Sequence, residues 1–152
     1  MCSAVCSCHK LLTFSTCEYS FNKDTFAEFL ADVRSACGEE PIYLFLDNAS
    51  FHKSPELKPV FDTLKIKPVW NVAYSPEFNS AIELYWAQLK AYFRPLLLQK
   101  MLAGPRARDT PLRDAVYQTI REVPQSSIPL FIARGLSCLR ERVESIRAEQ
   151  NQ

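Results

Sequence analysis

The sequence predicts an α/β domain with an antiparallel start, ordered strand, strand, helix, strand, helix, strand, helix and then further helices. Three observations carry that prediction. Apolar residues recur at helical spacing after Asn22; the continuous apolar run Pro41-Ile42-Tyr43-Leu44-Phe45-Leu46 stops at Asp47; and Ile82, Tyr85, Trp86, Leu89, Tyr92 and Phe93 mark a second, stronger helical pattern.

Taken in chain order, Ala4 to Cys8 and Leu11 to Glu18 read as two short strands joined at His9-Lys10, because Val5, Leu12, Phe14 and Thr16 give partly alternating, β-favouring runs. A hairpin is expected there. The helix that follows puts Phe26, Phe29, Leu30 and Val33 on one face, with Asn22 or Asp24 available as its cap and Gly38 as its stop. The run from Pro41 to Leu46 has the composition of a strand buried on both faces of a parallel sheet. Pro55 to Leu64 predicts a short helix with Ser54 as cap and Pro55 in the first turn. Ile66 to Val72 returns as a strand, and Pro68 makes it an edge or a late starter, since proline cannot donate to a ladder. The helix carrying Tyr85 and Leu89 should end or kink at Pro95; Gly104-Pro105-Arg106 reads as a loop; Thr110-Pro111 opens a helix with Leu112, Ala115, Val116, Thr119 and Ile120, and a last helix runs from about Ser127 towards Glu149.

With 152 residues, 47% of them hydrophobic and 23% charged, the chain can bury one core, and a second full domain would be crowded. No uninterrupted apolar stretch approaches the ~20 residues of a membrane span, and the first twenty residues lack the pattern of a secretory leader. A soluble, intracellular protein, nuclear or cytoplasmic, is expected. Six cysteines suggest no disulfide framework in a chain of this size and read as reduced thiols; Cys6, Cys8 and His9 resemble a metal cluster, but strand alternation accounts for them equally well. The net charge of +1 hides an asymmetry. From Glu18 to Glu40 six acids face two bases, whereas from Leu84 to Arg113 six bases face one acid, which permits a phosphate-binding face on the later segment and equally a solvated helix surface.

Two acids stand where chemistry is built in α/β folds. Asp47 ends a strand, and ligands of such sheets gather at the carboxyl ends of strands; Asp47-Asn48 also suits a turn or a helix cap. Glu83 opens the strongest helix, where Ser80-Ala81-Ile82-Glu83 also has the spacing of a capping box.

Together the segments around these acids say more. Leu44-Phe45-Leu46-Asp47-Asn48-Ala49-Ser50-Phe51-His52-Lys53-Ser54, then Tyr74-Ser75-Pro76-Glu77-Phe78-Asn79, then Ile82-Glu83-Leu84-Tyr85-Trp86 with Leu89-Lys90, closely resembles the mariner-like family of Asp-Asp-Glu transposases. Those enzymes typically show a hydrophobic strand ending in Asp-Asn-Ala, a His three residues after that Ala, then Tyr-Ser-Pro, an Asn, Ile-Glu, a Trp and a Lys. The 35 residues between Asp47 and Glu83 fall within the family's narrow range, and the likeness covers roughly Ser3 to Arg94.

The resemblance implies a ribonuclease-H-like mixed sheet flanked by helices, here a single partial catalytic domain over residues 1–152, with a core of about 3–94 and extra C-terminal helices of about 110–149. It implies that Asp47 and Glu83 are catalytic ligands of Mg²⁺ or Mn²⁺, with Asn48, His52 and Asn79 supporting them. Hard carboxylate oxygens suit such ions, and a pair of ions activates the attacking oxygen and stabilises the leaving one. DNA is the implied partner and its phosphodiester the substrate, with Lys53, Lys90 and Arg94 as candidate DNA contacts and homo-oligomerisation an option for a full-length parent. Trp86 reads as a core residue. Two departures from the family pattern matter. Asn79-Ser80-Ala81-Ile82-Glu83 is one residue longer than the family's Asn-Pro-Ile-Glu and lacks its proline. The family's first Asp, on its first strand, has no counterpart, since Ala4 to Phe29 corresponds to the second and third strands and the first helix; that strand would fall before Met1. Glu18, Asp24 and Asp32 are not convincing substitutes. The expected function is therefore a DNA transposase or endonuclease domain that is inactive as an isolated chain. The alternatives are a non-catalytic, domesticated or decayed fragment that binds DNA or a protein, and an unrelated α/β module whose two acids only cap local structure.

Overall fold

A computed structural model describes residues 2–5, 11–16, 20–72, 80–102 and 112–150. Strands β1 (Cys2–Val5) and β2 (Leu11–Ser15) form an antiparallel pair, with Cys2 opposite Ser15 and a register shift between Ala4 and Val5. The expected antiparallel pairing is therefore present, with β1 beginning at Cys2 and not at Ala4; Cys6, Cys8, His9 and Glu18 lie outside the described residues.

Helix α1 (Lys23–Cys37) begins where its cap dictates. Asn22 Oδ1 accepts the backbone N–H groups of Asp24 and Thr25 at 2.9 and 3.0 Å, while Thr25 Oγ1 accepts the N–H of Asn22 at 3.0 Å, so donors that the helix leaves unpaired are satisfied reciprocally. Gly38, at φ +72°, ends it in a backbone region that only glycine enters cheaply. Arg34 then donates to the carbonyls of Gly38, Glu40 and Lys65 at 2.6, 2.7 and 3.3 Å, tying the helix end to the chain entering the next two strands.

Strands β3 (Ile42–Leu46) and β4 (Ile66–Trp70) pair in parallel, Ile42 beside Ile66 through to Leu46 beside Trp70. Between them run 3₁₀ turns at Ser50–Lys53 and Pro55–Leu57 and the short helix α2 (Lys58–Thr63). The helix predicted over 55–64 thus begins as a 3₁₀ turn, and Ser54 does not cap it, because its hydroxyl bonds the Glu56 carboxylate instead. Pro68 fits, since among the described residues β4 pairs with β3 alone. Expected burial of β3 on both faces is corrected: Ile42, Leu44 and Leu46 turn inward, while Tyr43 is 72% and Phe45 37% exposed. An apolar run records the absence of polar residues, not the number of layers packed on it, and here α1 and α2 pack on the same side of the strand pair. Their core joins Phe26, Phe29, Leu30, Val33, Leu46, Leu57, Phe61 and Ile66.

The remaining half is helical. Helices α3 (Ser80–Leu102), α4 (Leu112–Glu122) and α5 (Ile128–Gln150) enclose a second core of Tyr85, Leu89, Ile120, Val123 and Ile128. The hairpin joins it through the Phe14 ring, edge-on to Tyr117 at 5.0 Å, and through the Leu11 N–H, which donates to Gln125 Oε1 at 3.2 Å. Trp86 packs against this core as expected. Pro95 does not end α3, which continues to Leu102. A proline inside a helix removes one main-chain hydrogen bond, and the turns before and after it keep theirs. The chain is thus mixed α/β and mostly helical, and among the described residues its four strands form two separate pairs, one antiparallel and one parallel, in place of one continuous mixed sheet.

Candidate functional site

The parallel strand pair does not stop cleanly at Leu46 and Trp70. The Asn71 N–H donates to the Leu46 carbonyl at 2.8 Å, and the Asn48 side-chain amide donates to the Asn71 carbonyl at 2.8 Å. Asn48 therefore fastens the loop after β3 to the loop after β4. Asp47 sits between these fastenings, at the carboxyl end of β3.

The Asp47 side chain has two close neighbours. Its Oδ1 accepts the Ala49 N–H at 3.1 Å, closing a local turn, and lies 2.8 Å from His52 Nδ1. The His52 contact is a close approach of the two groups and not a directed hydrogen bond, because Nδ1 lacks a partner on its N–H line. His52 owes its position to the 3₁₀ turn at Ser50–Lys53 and to its ring, which lies 4.2 Å from the rings of both Phe26 and Phe51. With its side chain only 11% exposed, His52 packs against Phe26 of the first core, whereas Asp47 is 54% exposed and faces solvent. A mostly buried, aromatic-clamped imidazole thus stands behind an accessible carboxylate. Lys53, one residue on, holds its Nζ 5.3 Å from the centre of the Trp70 ring, in cation–π range.

Glu83 is in the first turn of α3 and exposed. Ala87, Lys90 and Arg94 follow it on the same exposed stripe, so the acid and the two bases share one helix face about 16 Å long at 1.5 Å per residue. Of the residues the sequence singled out, Asp47, Asn48, His52 and Lys53 are brought together at the end of β3, while Glu83, Lys90 and Arg94 are grouped on α3. Asn79 lies outside the described residues. Trp70 and Asn71 were missed by sequence reasoning. Their signal was the strand Ile66–Trp70 itself, whose parallel pairing with β3 brings its end beside Asp47.

In donor chemistry Asp47 and Glu83 fit Mg²⁺ or Mn²⁺, since both offer exposed carboxylate oxygens. In number they do not complete a site: among the described residues no three His, Cys, Asp or Glu side chains are placed to hold a metal ion. Among the described helices none is long and apolar enough to cross a membrane.

A comparison with protein families matches residues 1–100 to the family described as DDE superfamily endonuclease. A comparison with curated proteins finds no match.

Proposed function

The chain belongs to the DDE superfamily endonuclease family, and on that premise we propose that it is the part of a mariner-like transposase catalytic domain that supplies Asp47 and Glu83 to the cleavage of DNA phosphodiester bonds. The observation that carries this reading is Asp47 itself, an exposed carboxylate at the end of a parallel strand, whose Oδ1 accepts the Ala49 N–H and lies 2.8 Å from His52 Nδ1. An acid that merely closed a turn would need the Ala49 contact and not the histidine clamped behind it.

Each residue then has a distinct task. The Ala49 N–H holds Oδ1 with His52 close behind it, and the half-exposed Asp47 side chain is left open to the solvent side where a phosphodiester would lie. Asn48 keeps the two loop ends from separating as DNA is bound. Lys53, Lys90 and Arg94 neutralise phosphates, Lys53 beside Asp47 and the other two on the face that carries Glu83. Divalent ions, Mg²⁺ or Mn²⁺, would supply activation of the attacking oxygen and stabilisation of the leaving one.

These 152 residues contain two of the family's three acids, and two carboxylates do not build a two-ion clamp. The purified chain is therefore expected not to nick supercoiled plasmid with Mg²⁺ or Mn²⁺. Adding a segment whose strand ends in Asp should produce nicking, and Asp47→Asn or Glu83→Gln should then abolish it. Nicking by the chain alone that disappears in Asp47→Asn would show that another residue has taken the third acid's role. Activity that survives Asp47→Asn after the segment is added would remove Asp47 from the chemistry.

A further inference from the structure

The end of β4 carries a group that the acids do not use. Trp70 is hydrogen-bond-paired beside Leu46, so its Cα lies one strand spacing, about 4.8 Å, from the residue that precedes Asp47. Trp70 is 37% exposed although it has the largest side chain on that strand. The ring is not loose. Phe61 meets it edge-on, at 6.4 Å and 89°, and the backbone just after it is pinned by the two hydrogen bonds of Asn71. The ring is also met by the Lys53 ammonium, on an exposed side chain rooted in the turn that also positions His52.

We infer that Trp70 and Lys53 together form a nucleotide-binding step beside Asp47, in which an unpaired DNA base stacks on the Trp70 indole while Lys53 leaves the ring for that nucleotide's phosphate. This deepens the DNA-cleavage reading and rests on it. The physical case is an exchange of partners. An exposed lysine over an indole is a weak contact, and an aromatic base on the same ring, with the ammonium transferred to a phosphate, is a stronger arrangement. Every base has an aromatic face, so the step selects single-stranded or frayed DNA over paired DNA without selecting sequence. A protein partner fits less well, because Trp70 ends the strand paired with the one that leads into Asp47 and its ring carries a cation already placed for an anionic neighbour.

The chain has two tryptophans, Trp70 and Trp86, which makes the test optical. In the full chain carrying Trp86→Phe, titration with a thymidine oligonucleotide should quench the remaining fluorescence, and the quench should saturate together with binding read by anisotropy of a labelled oligonucleotide. A blunt duplex of equal length should quench much less. Trp70→Leu should weaken single-strand binding on the order of tenfold and duplex binding less than twofold. Lys53→Gln should weaken both and lower the salt slope by about one. If either variant at position 86 or 70 fails to fold, the difference in quench between the unaltered chain and Trp70→Phe carries the same information. Salt-dependent binding without any quench of Trp70 would overturn this inference and leave the DNA reading standing, whereas absence of binding to both single-stranded and duplex DNA would overturn the two together.

Discussion

The two halves of the molecule treat their acids differently. Around Asp47, short elements fold back on each other within a stretch of about 50 residues, and the first core reaches the acid through Phe26, Phe51 and His52. Around Glu83, three helices of 23, 11 and 23 residues surround a core of their own, and the acid rides on the outer face of the first of them. In the first half the carboxylate is positioned by side chains that converge on it. In the second it is positioned by helix register alone. A residue held by convergent packing is sensitive to distant core mutations, whereas one held by register is sensitive to whatever shifts or frays its helix.

The sharpest way to break that contrast is Phe26→Ala. Phe26 is buried, and it supports both the α1 core and the His52 ring, so its loss should cost about 3–5 kcal/mol in urea unfolding. Hydrogen exchange should accelerate in α1 and β3 well before α3 and α5. Equal acceleration throughout would mean that the halves form one cooperative unit and that the contrast is only geometric.

The helical half has its own signature in alkali. Tyr85 is 1% exposed at the centre of the second core, and burial pushes its hydroxyl up to about 12 from 10. Because the folded state holds this proton more tightly than the unfolded chain, the associated stability is fully present below pH 10. It is lost as pH rises from 10 through 12, by on the order of 2–3 kcal/mol at the upper end. Tyr85→Phe should flatten that part of a pH–stability curve, and a curve with the same alkaline slope in the variant would assign the loss to other groups.

Asn22→Ala tests whether α1 depends on its local signal or on packing. Removing the reciprocal cap should cost about 1 kcal/mol, read as a shift of the urea midpoint at unchanged slope. A much larger loss would show that the cap also sets the angle at which α1 carries Phe26 to His52.

The smallest effect belongs to the surface pair of Lys23 and Glu56, 2.6 Å apart, which links the start of α1 to the turn before α2. Hydrogen bonds from Lys23 and then Ser54 hold the Glu56 carboxyl at about 2, below its usual 4.5, and the Glu56 partner raises Lys23. For the depressed carboxyl, any contribution is present above pH 4.5 and lost as pH falls towards 2. For the raised ammonium, it is present below 10.5 and lost above it. Both groups are solvent-exposed, so Lys23→Ala should leave the urea midpoint at pH 7 nearly unchanged, and its main mark should be a shallower acid limb.

The residues that were legible in the sequence share a short range of action. Asn22 caps α1 and Gly38 ends it because the donors and the backbone strain that they resolve lie within four residues of them. Asp47 follows an apolar run and therefore falls at a strand end, and Ile82, Tyr85 and Leu89 turn inward because helical spacing leaves them no other face. The tertiary structure decided what depends on segments far apart. Pairing of β3 with β4 put Trp70 and Asn71 beside Asp47, and the packing of Phe26 chose the place of His52 behind the carboxylate. It likewise left Tyr43 and Phe45 on an open face and carried α3 past Pro95. Propensity, capping and periodicity are local energies that a few neighbours fix. Which strand lies beside which, and which face is covered, follows from burying separate apolar surfaces against one another, and no single segment contains that information.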